Sequence, residues 1–132
     1  MSKIIGIDLG TSTSEIAYVK DGVPVLIPNL DGEVVTPSVV SIGENGEIVV
    51  GQAAEHLLFT RPDCTFMEVK RLFGTGVKLS AHGKEYDPEE IQSYLIKYLV
   101  ECAQNYLRES ITTAVITVPA YFTDVQRRQT VR

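Results

Sequence analysis

KIIGIDLGTSTSEIAYVK, residues 3–20, sets two β-rich runs on either side of a short polar bend. The first run, residues 3–9, is a tight cluster of isoleucines and reads as a buried strand. The second resumes at Ser14 and alternates, with Ile16 and Tyr18 facing one way and Ala17 and Val19 the other. Asp21-Gly22 is a tight-turn pair, and Val23–Ile27 follows as a third strand. The chain therefore opens with an antiparallel meander, and its first bend is the candidate for chemistry.

That bend is Asp8-Leu9-Gly10-Thr11-Ser12. Gly10 has no Cβ, so an anion can come close to the main chain there. The amides of residues 10–12 can form an anion-binding concavity, to which the Thr11 and Ser12 hydroxyls add donors. Asp8, at the end of the strand, could hold Mg²⁺ through its waters, since that ion usually keeps several of them. A carboxylate facing a phosphate would repel it, so the metal belongs to this reading. The same residues also read as a polar hairpin turn without a ligand. The pattern is short, and it is neither a Walker A loop nor the dinucleotide Gly-x-Gly-x-x-Gly.

Outward from the meander, a loop carries Pro28, Asn29, Asp31 and Gly32. Val34–Ile42 is β-rich but interrupted by Thr36-Pro37, which makes it a strand start or an edge, because proline cannot donate to a ladder. Gly43–Gly46 turns the chain into Glu47–Val50, and Gly51–Thr60 reads as a short helix stopped by Arg61-Pro62. Thr65–Phe73 fits either a short helix or a loop. Val77–Leu79 and Lys84–Tyr86 pair as a small hairpin around His82-Gly83. Asp87 then serves as an N-cap, with Pro88 in the first helical position and Glu90 completing a capping box. Ile91, Tyr94, Leu95, Tyr98, Leu99, Cys102, Tyr106 and Leu107 recur at helical spacing and mark a core-facing stripe. Thr112–Val118 is a strand ended by Pro119, and Thr123 with Gln126 opens a last helix. The order implies an α/β core subdomain from residues 1–37 and 112–132, interrupted by an inserted subdomain from 38–111.

Composition narrows the partners. The chain has 132 residues, 44% hydrophobic and 22% charged, with a net charge of −5. An acidic balance argues against nucleic acid, whose non-specific binding needs clustered cations. The apolar stretch after Lys3 is broken at once by Asp8 and Gly10, so neither a membrane span nor a signal sequence is expected, and the cytoplasm is the default. Cys64 and Cys102 share no metal-ligand spacing with each other or with His56 and His82, so both read as free thiols. Lys70 sits among apolar neighbours in EVKRLFG, residues 68–74. It reads either as a solvated surface charge or as a point charge reaching a phosphoryl group, and its spacing does not decide between them.

Five segments follow one another along essentially the whole chain: IGIDLGTS (5–12), TPSVV (36–40), VVGQAA (49–54), KRLFG (70–74) and AVITVPAYF (114–122). In that order they resemble the landmarks of the heat-shock seventy-kilodalton chaperone family, in its bacterial, DnaK-like form. The last segment, followed by Asp124, Gln126 and Arg127, is the most specific. Actins, sugar kinases and cell-shape filament proteins share the Asp-x-Gly-Thr hairpin without that later run. There are departures: Val34-Val35 stands where the family usually has Arg-Thr, and Thr123-Asp124 where it usually has Asn-Asp. The connection from Lys70 to Asp87 is also shorter than in many members. These mark a divergent bacterial member and leave open whether it is a general or a specialised chaperone.

The resemblance implies an α/β, actin-like ATPase fold of ribonuclease-H type, with ATP or ADP and Mg²⁺ held between two lobes. This chain would be the first lobe only, a mixed sheet with helices and an inserted α+β subdomain. Gly10, Thr11 and Ser12 would cradle the β- and γ-phosphates, and Asp8 would contact the metal's water shell. Lys70 would be catalytic, reaching the γ-phosphate and the attacking water, while Pro119 and Arg127 would relay nucleotide state to a substrate-binding domain. The implied partners of the parent protein are unfolded polypeptide clients, a J-domain co-chaperone and a nucleotide exchange factor, in protein folding under stress. The second phosphate hairpin and the adenosine pocket are expected beyond Arg132, so the piece alone should lack ATPase activity and self-associate through an uncovered sheet. Two other readings are a non-catalytic interaction module with a relic hairpin and an actin-like phosphotransferase such as a sugar kinase. Sequence beyond Arg132 separates all three.

Overall fold

Alternation along the opening strands decides which side of the first sheet is buried. The computed structural model describes residues 3–117. Strands β1 (Lys3–Leu9), β2 (Thr13–Lys20) and β3 (Val23–Ile27) form the expected meander. Ile5, Ile7, Leu9, Ile16 and Ile27 all point inward and are each 1% exposed, and burial of such a side chain stabilises by about 1.5–3 kcal/mol. Asp21 and Gly22 both have positive φ, 52° and 79°, the two-residue turn whose twist matches that of the strands it joins. β4 (Thr36–Pro37) pairs with the start of β2, Thr13 opposite Pro37, and so takes the edge position its proline requires.

A second sheet follows. β5 (Val39–Ile42), β6 (Ile48–Val50) and, after the helix α1 (Gln52–Thr60), β7 (Thr65–Met67) assemble in the order β6-β5-β7. The hairpin β8 (Leu79–Ala81) and β9 (Lys84–Tyr86) begins its first strand two residues later than the sequence reading placed it. The ambiguous stretch 65–73 divides into β7 and a 3₁₀ turn, Val69–Leu72. Glu68 causes the break, because its φ of 55° lies in the left-handed region and ends any regular run.

Helix α2 (Pro88–Leu107) leads into β10 (Ile111–Thr117), which pairs parallel with β1 and completes the order β10-β1-β2-β3. Ile91, Leu95, Leu99 and Cys102 form its buried stripe, as their spacing predicts, and Gln92 and Ala103 are buried beside them. Tyr106 departs from the stripe: it is half exposed, with its ring 6.5 Å from that of Tyr18 on β2. α2 packs on β3 and β10 of the first sheet and on β5 and β6 of the second, so a single buried cluster joins both. Asp87 is the N-cap, but the capping box does not form. Its carboxylate accepts from the Lys78 ammonium and makes no cap hydrogen bond, and the first turn closes instead through the Asp87 carbonyl to the Glu90 amide, 3.0 Å.

Cys64 and Cys102 are free and buried, and burial pushes the Cys102 thiol up, which keeps it protonated. The outward side of the first sheet carries Ile4, Val19, Leu26 and Val115, all exposed. No helix among the described residues is long and apolar enough to cross a membrane. Val118, Pro119, Thr123, Gln126 and Arg127 lie outside the described residues, and with them the proposed last helix.

Candidate functional site

The site is built where β1 hands over to β2. Gly10 must be glycine for the chain's own sake: a Cβ there would overlap the carbonyl oxygen of Thr13, a backbone atom that cannot swing aside. Closure of the bend thus adds a second reason to the one read from sequence, which was the approach of an anion. Thr11 is half-buried and Ser12 exposed. Asp8 is also exposed, on the last rungs of the ladder, opposite Glu15 on β2 and Thr117 on β10.

The segment 36–38 braces this bend from one side. The Ser38 amide donates to the Ser12 carbonyl at 2.8 Å, and the Ser38 hydroxyl donates to the Gly10 carbonyl at 3.1 Å. Ser14 Oγ lies 2.9 Å from Ser38 Oγ, and both hydroxyls are buried. Behind them Asn29 donates from Nδ2 to Thr36 Oγ1 at 2.9 Å. Its Oδ1 accepts the amides of Asp31 and Glu33, at 2.9 and 3.1 Å. The segment 36–38 is therefore held by a side-chain hydrogen bond at each end, Asn29 to Thr36 on the side of the loop after β3 and Ser38 to Gly10 on the side of the bend.

Lys70 arrives from 61 residues away. The 3₁₀ turn that carries it is anchored by Val69 and Phe73, both buried, which draw the lysine inward while Arg71 stays at the surface, 3.4 Å from Glu68. The Lys70 side chain is 1% exposed, and its ammonium donates to the Leu9 carbonyl at the head of the bend. Burial lowers its pKa from 10.5 to about 8, and the Asp8 carboxylate pulls in the opposite direction. Of the two readings open from sequence, the solvated surface charge is excluded by this burial.

Asp8, Gly10, Thr11, Ser12 and Lys70 thus gather at one end of the first sheet. A buried cation beside a turn of small hydroxyl residues can meet anionic oxygens. No group of three or more His, Cys, Asp or Glu side chains that could hold a metal ion occurs among the described residues. A single exposed carboxylate such as Asp8 suits a cation that keeps its waters and takes other oxygens from a ligand, as Mg²⁺ does. Ser14, Ser38, Thr36 and Asn29 carry the bend without being candidate site residues from sequence. Thr36 and Ser38 fall in the segment TPSVV, 36–40, and that resemblance is the signal the sequence holds for them. Pro119 and Arg127 lie outside the described residues.

The sequence model of a family described as Hsp70 protein matches the chain over residues 4–78 and 75–132. Every residue of the site falls inside the matched segments. The match favours neither the interaction-module nor the sugar-kinase alternative.

Proposed function

This chain belongs to the Hsp70 family, and from that premise we propose that it forms the γ-phosphate side of an ATP site in a longer chaperone. Membership carries, in general terms, an actin-like ATPase fold, a chaperone-type function and the binding of nucleotide and Mg²⁺. The mixed α/β architecture agrees with that fold. The observation that supports the finer reading is the buried Lys70 ammonium on the Leu9 carbonyl, beside Asp8 and the glycine bend.

In this reading Gly10, Thr11 and Ser12 hold the β- and γ-phosphate oxygens through main-chain amides and hydroxyls. Lys70 stabilises the charge that develops on the γ-phosphoryl group and orients the attacking water. With a pKa of about 8, the ammonium is roughly nine-tenths protonated at neutral pH, so it still acts as a cation. Asp8 would hold Mg²⁺ through its water shell, and the ion when bound would neutralise phosphate charge. Residues 1–37 and 112–132 make the core subdomain of the first lobe, and 38–111 the peripheral insert. Pro119 and Arg127 pass nucleotide state to a substrate-binding domain that takes unfolded polypeptides, with a J-domain co-chaperone and an exchange factor as further partners in the cytoplasm.

One lobe cannot close a phosphate clamp or exclude water. The 132-residue chain by itself is therefore expected to show no ATPase activity, weak nucleotide affinity, and self-association through the apolar face of Ile4, Val19, Leu26 and Val115. Calorimetric titration of this chain and of the full-length protein with Mg-ATP tests the proposal. Tight binding and turnover are expected in the longer protein only. Micromolar, Mg²⁺-dependent binding by the short chain would contradict the half-site reading, and a full-length protein that ignores ATP would contradict the function itself.

A further inference from the structure

We infer that Ser38 is a positioning residue for the phosphate-binding bend, orienting the Gly10–Thr11 peptide; the inference rests on the ATP-site reading above. Ser38 has one hydroxyl proton, and the contact to the Gly10 carbonyl uses it. The 2.9 Å contact between the two serine hydroxyls must then be donated by Ser14. The donor order runs Ser14 to Ser38 to Gly10, and each oxygen in it is satisfied within the chain.

The consequence follows from the planarity of the peptide. The described backbone contains no cis bond, so the carbonyl of Gly10 and the amide of Thr11 point in opposite directions across one rigid plane. Pinning that carbonyl on Ser38 turns the Thr11 N–H away from the serine pair. The Ser38 main-chain bond to the Ser12 carbonyl, 2.8 Å, does not depend on the side chain and is available to Ala and Thr alike. Loss of the hydroxyl therefore releases the Gly10–Thr11 plane while the end of the bend stays tied to the residue that follows β4. Such a change alters how phosphate is gripped without reaching the part of a nucleotide that carries the base.

The experiment compares equilibrium binding of ATP, ADP and adenosine to the full-length protein and to its Ser38→Ala and Ser38→Thr variants. Ser38→Ala is expected to weaken ATP and ADP about tenfold, the worth of one good hydrogen bond, with adenosine unchanged. Ser38→Thr, which keeps the hydroxyl, is expected to stay within about threefold of the wild type, a residual about half that loss on a logarithmic scale. An equal loss for adenosine, or no loss for ATP, overturns the role of Ser38. A wild-type protein that binds ATP no better than adenosine overturns the ATP-site reading and this inference with it. Should Ser38→Ala not fold, Ser38→Cys, whose thiol is only a weak donor, decides the matter. A loss confined to ATP and ADP supports the role of Ser38, and unchanged affinities overturn it.

Discussion

Lys70→Met in the full-length protein is expected to leave ATP bound and to slow its hydrolysis by about 10²–10³-fold, the usual cost of removing one preorganised donor from a transition state. The same substitution is expected to make the protein more stable. Lys70 is buried with its pKa lowered from 10.5 to about 8, which corresponds to about 3 kcal/mol spent on holding a charged amine out of water at neutral pH. Methionine has nearly the same length and carries no charge. It forfeits the hydrogen bond to the Leu9 carbonyl, worth about 1 kcal/mol, so the net gain is about 2 kcal/mol.

The pH dependence identifies the cause. Between about pH 8 and 10.5 the unfolded chain holds the Lys70 proton and the folded chain has released it. The unfolded state binds more protons there, and stability of the wild type rises with pH across that window. The advantage of Lys70→Met is therefore full below pH 8 and disappears by about pH 10.5. Urea denaturation at pH 7 and at pH 10.5 measures it. A variant less stable than the wild type at pH 7, or hydrolysis at near wild-type rate, would mean that Lys70 is not a strained catalytic cation.

Gly10→Ala carries the second large effect. The added methyl overlaps the Thr13 carbonyl oxygen, and relief requires the bend to open, because neither partner is a flexible side chain. A cost of about 2–3 kcal/mol is expected, at the upper end for overpacking. Displacing the bend by about 1 Å also misplaces the bound phosphates, and turnover should fall about a hundredfold. Gly46→Ala is the control. It too is a turn glycine, at φ 83°, but a methyl there meets nothing within 4 Å, so only backbone strain of about 1–2 kcal/mol is expected, with activity retained. Equal losses from the two substitutions would show that the crowding at Gly10 has no special consequence.

The contrast between Gly10 and Lys70 shows how far the chain could be read in advance. The meander was legible because each strand alternates and Asp21-Gly22 demands a left-handed turn, features confined to neighbouring residues. The stripe of α2 was legible for the same reason. The lysine was not, because its burial depends on Val69 and Phe73 drawing a 3₁₀ turn against a strand 61 residues away. Asp87 failed in the opposite way. Its local signal for a capping box was sound, but Lys78 on the preceding segment takes the carboxylate. Ser38 is marked in the sequence only by the resemblance of its segment, since nothing local says that a serine after Thr36-Pro37 will meet the carbonyls of Gly10 and Ser12. Local periodicity fixes elements, whereas polar contacts between distant segments make the site.

The most direct test of the site is to watch Lys70 and the bend while nucleotide binds. In full-length protein labelled with ¹⁵N, resonances of the Lys70 Nζ and of the Gly10, Thr11 and Ser12 amides can be followed by NMR. Saturating Mg²⁺ with a non-hydrolysable ATP analogue is predicted to move all four, and Mg-ADP to move the three amides while leaving Lys70 Nζ close to its free position. Nucleotide binding that leaves all four unmoved would contradict the assignment of this hairpin and lysine to the γ-phosphate.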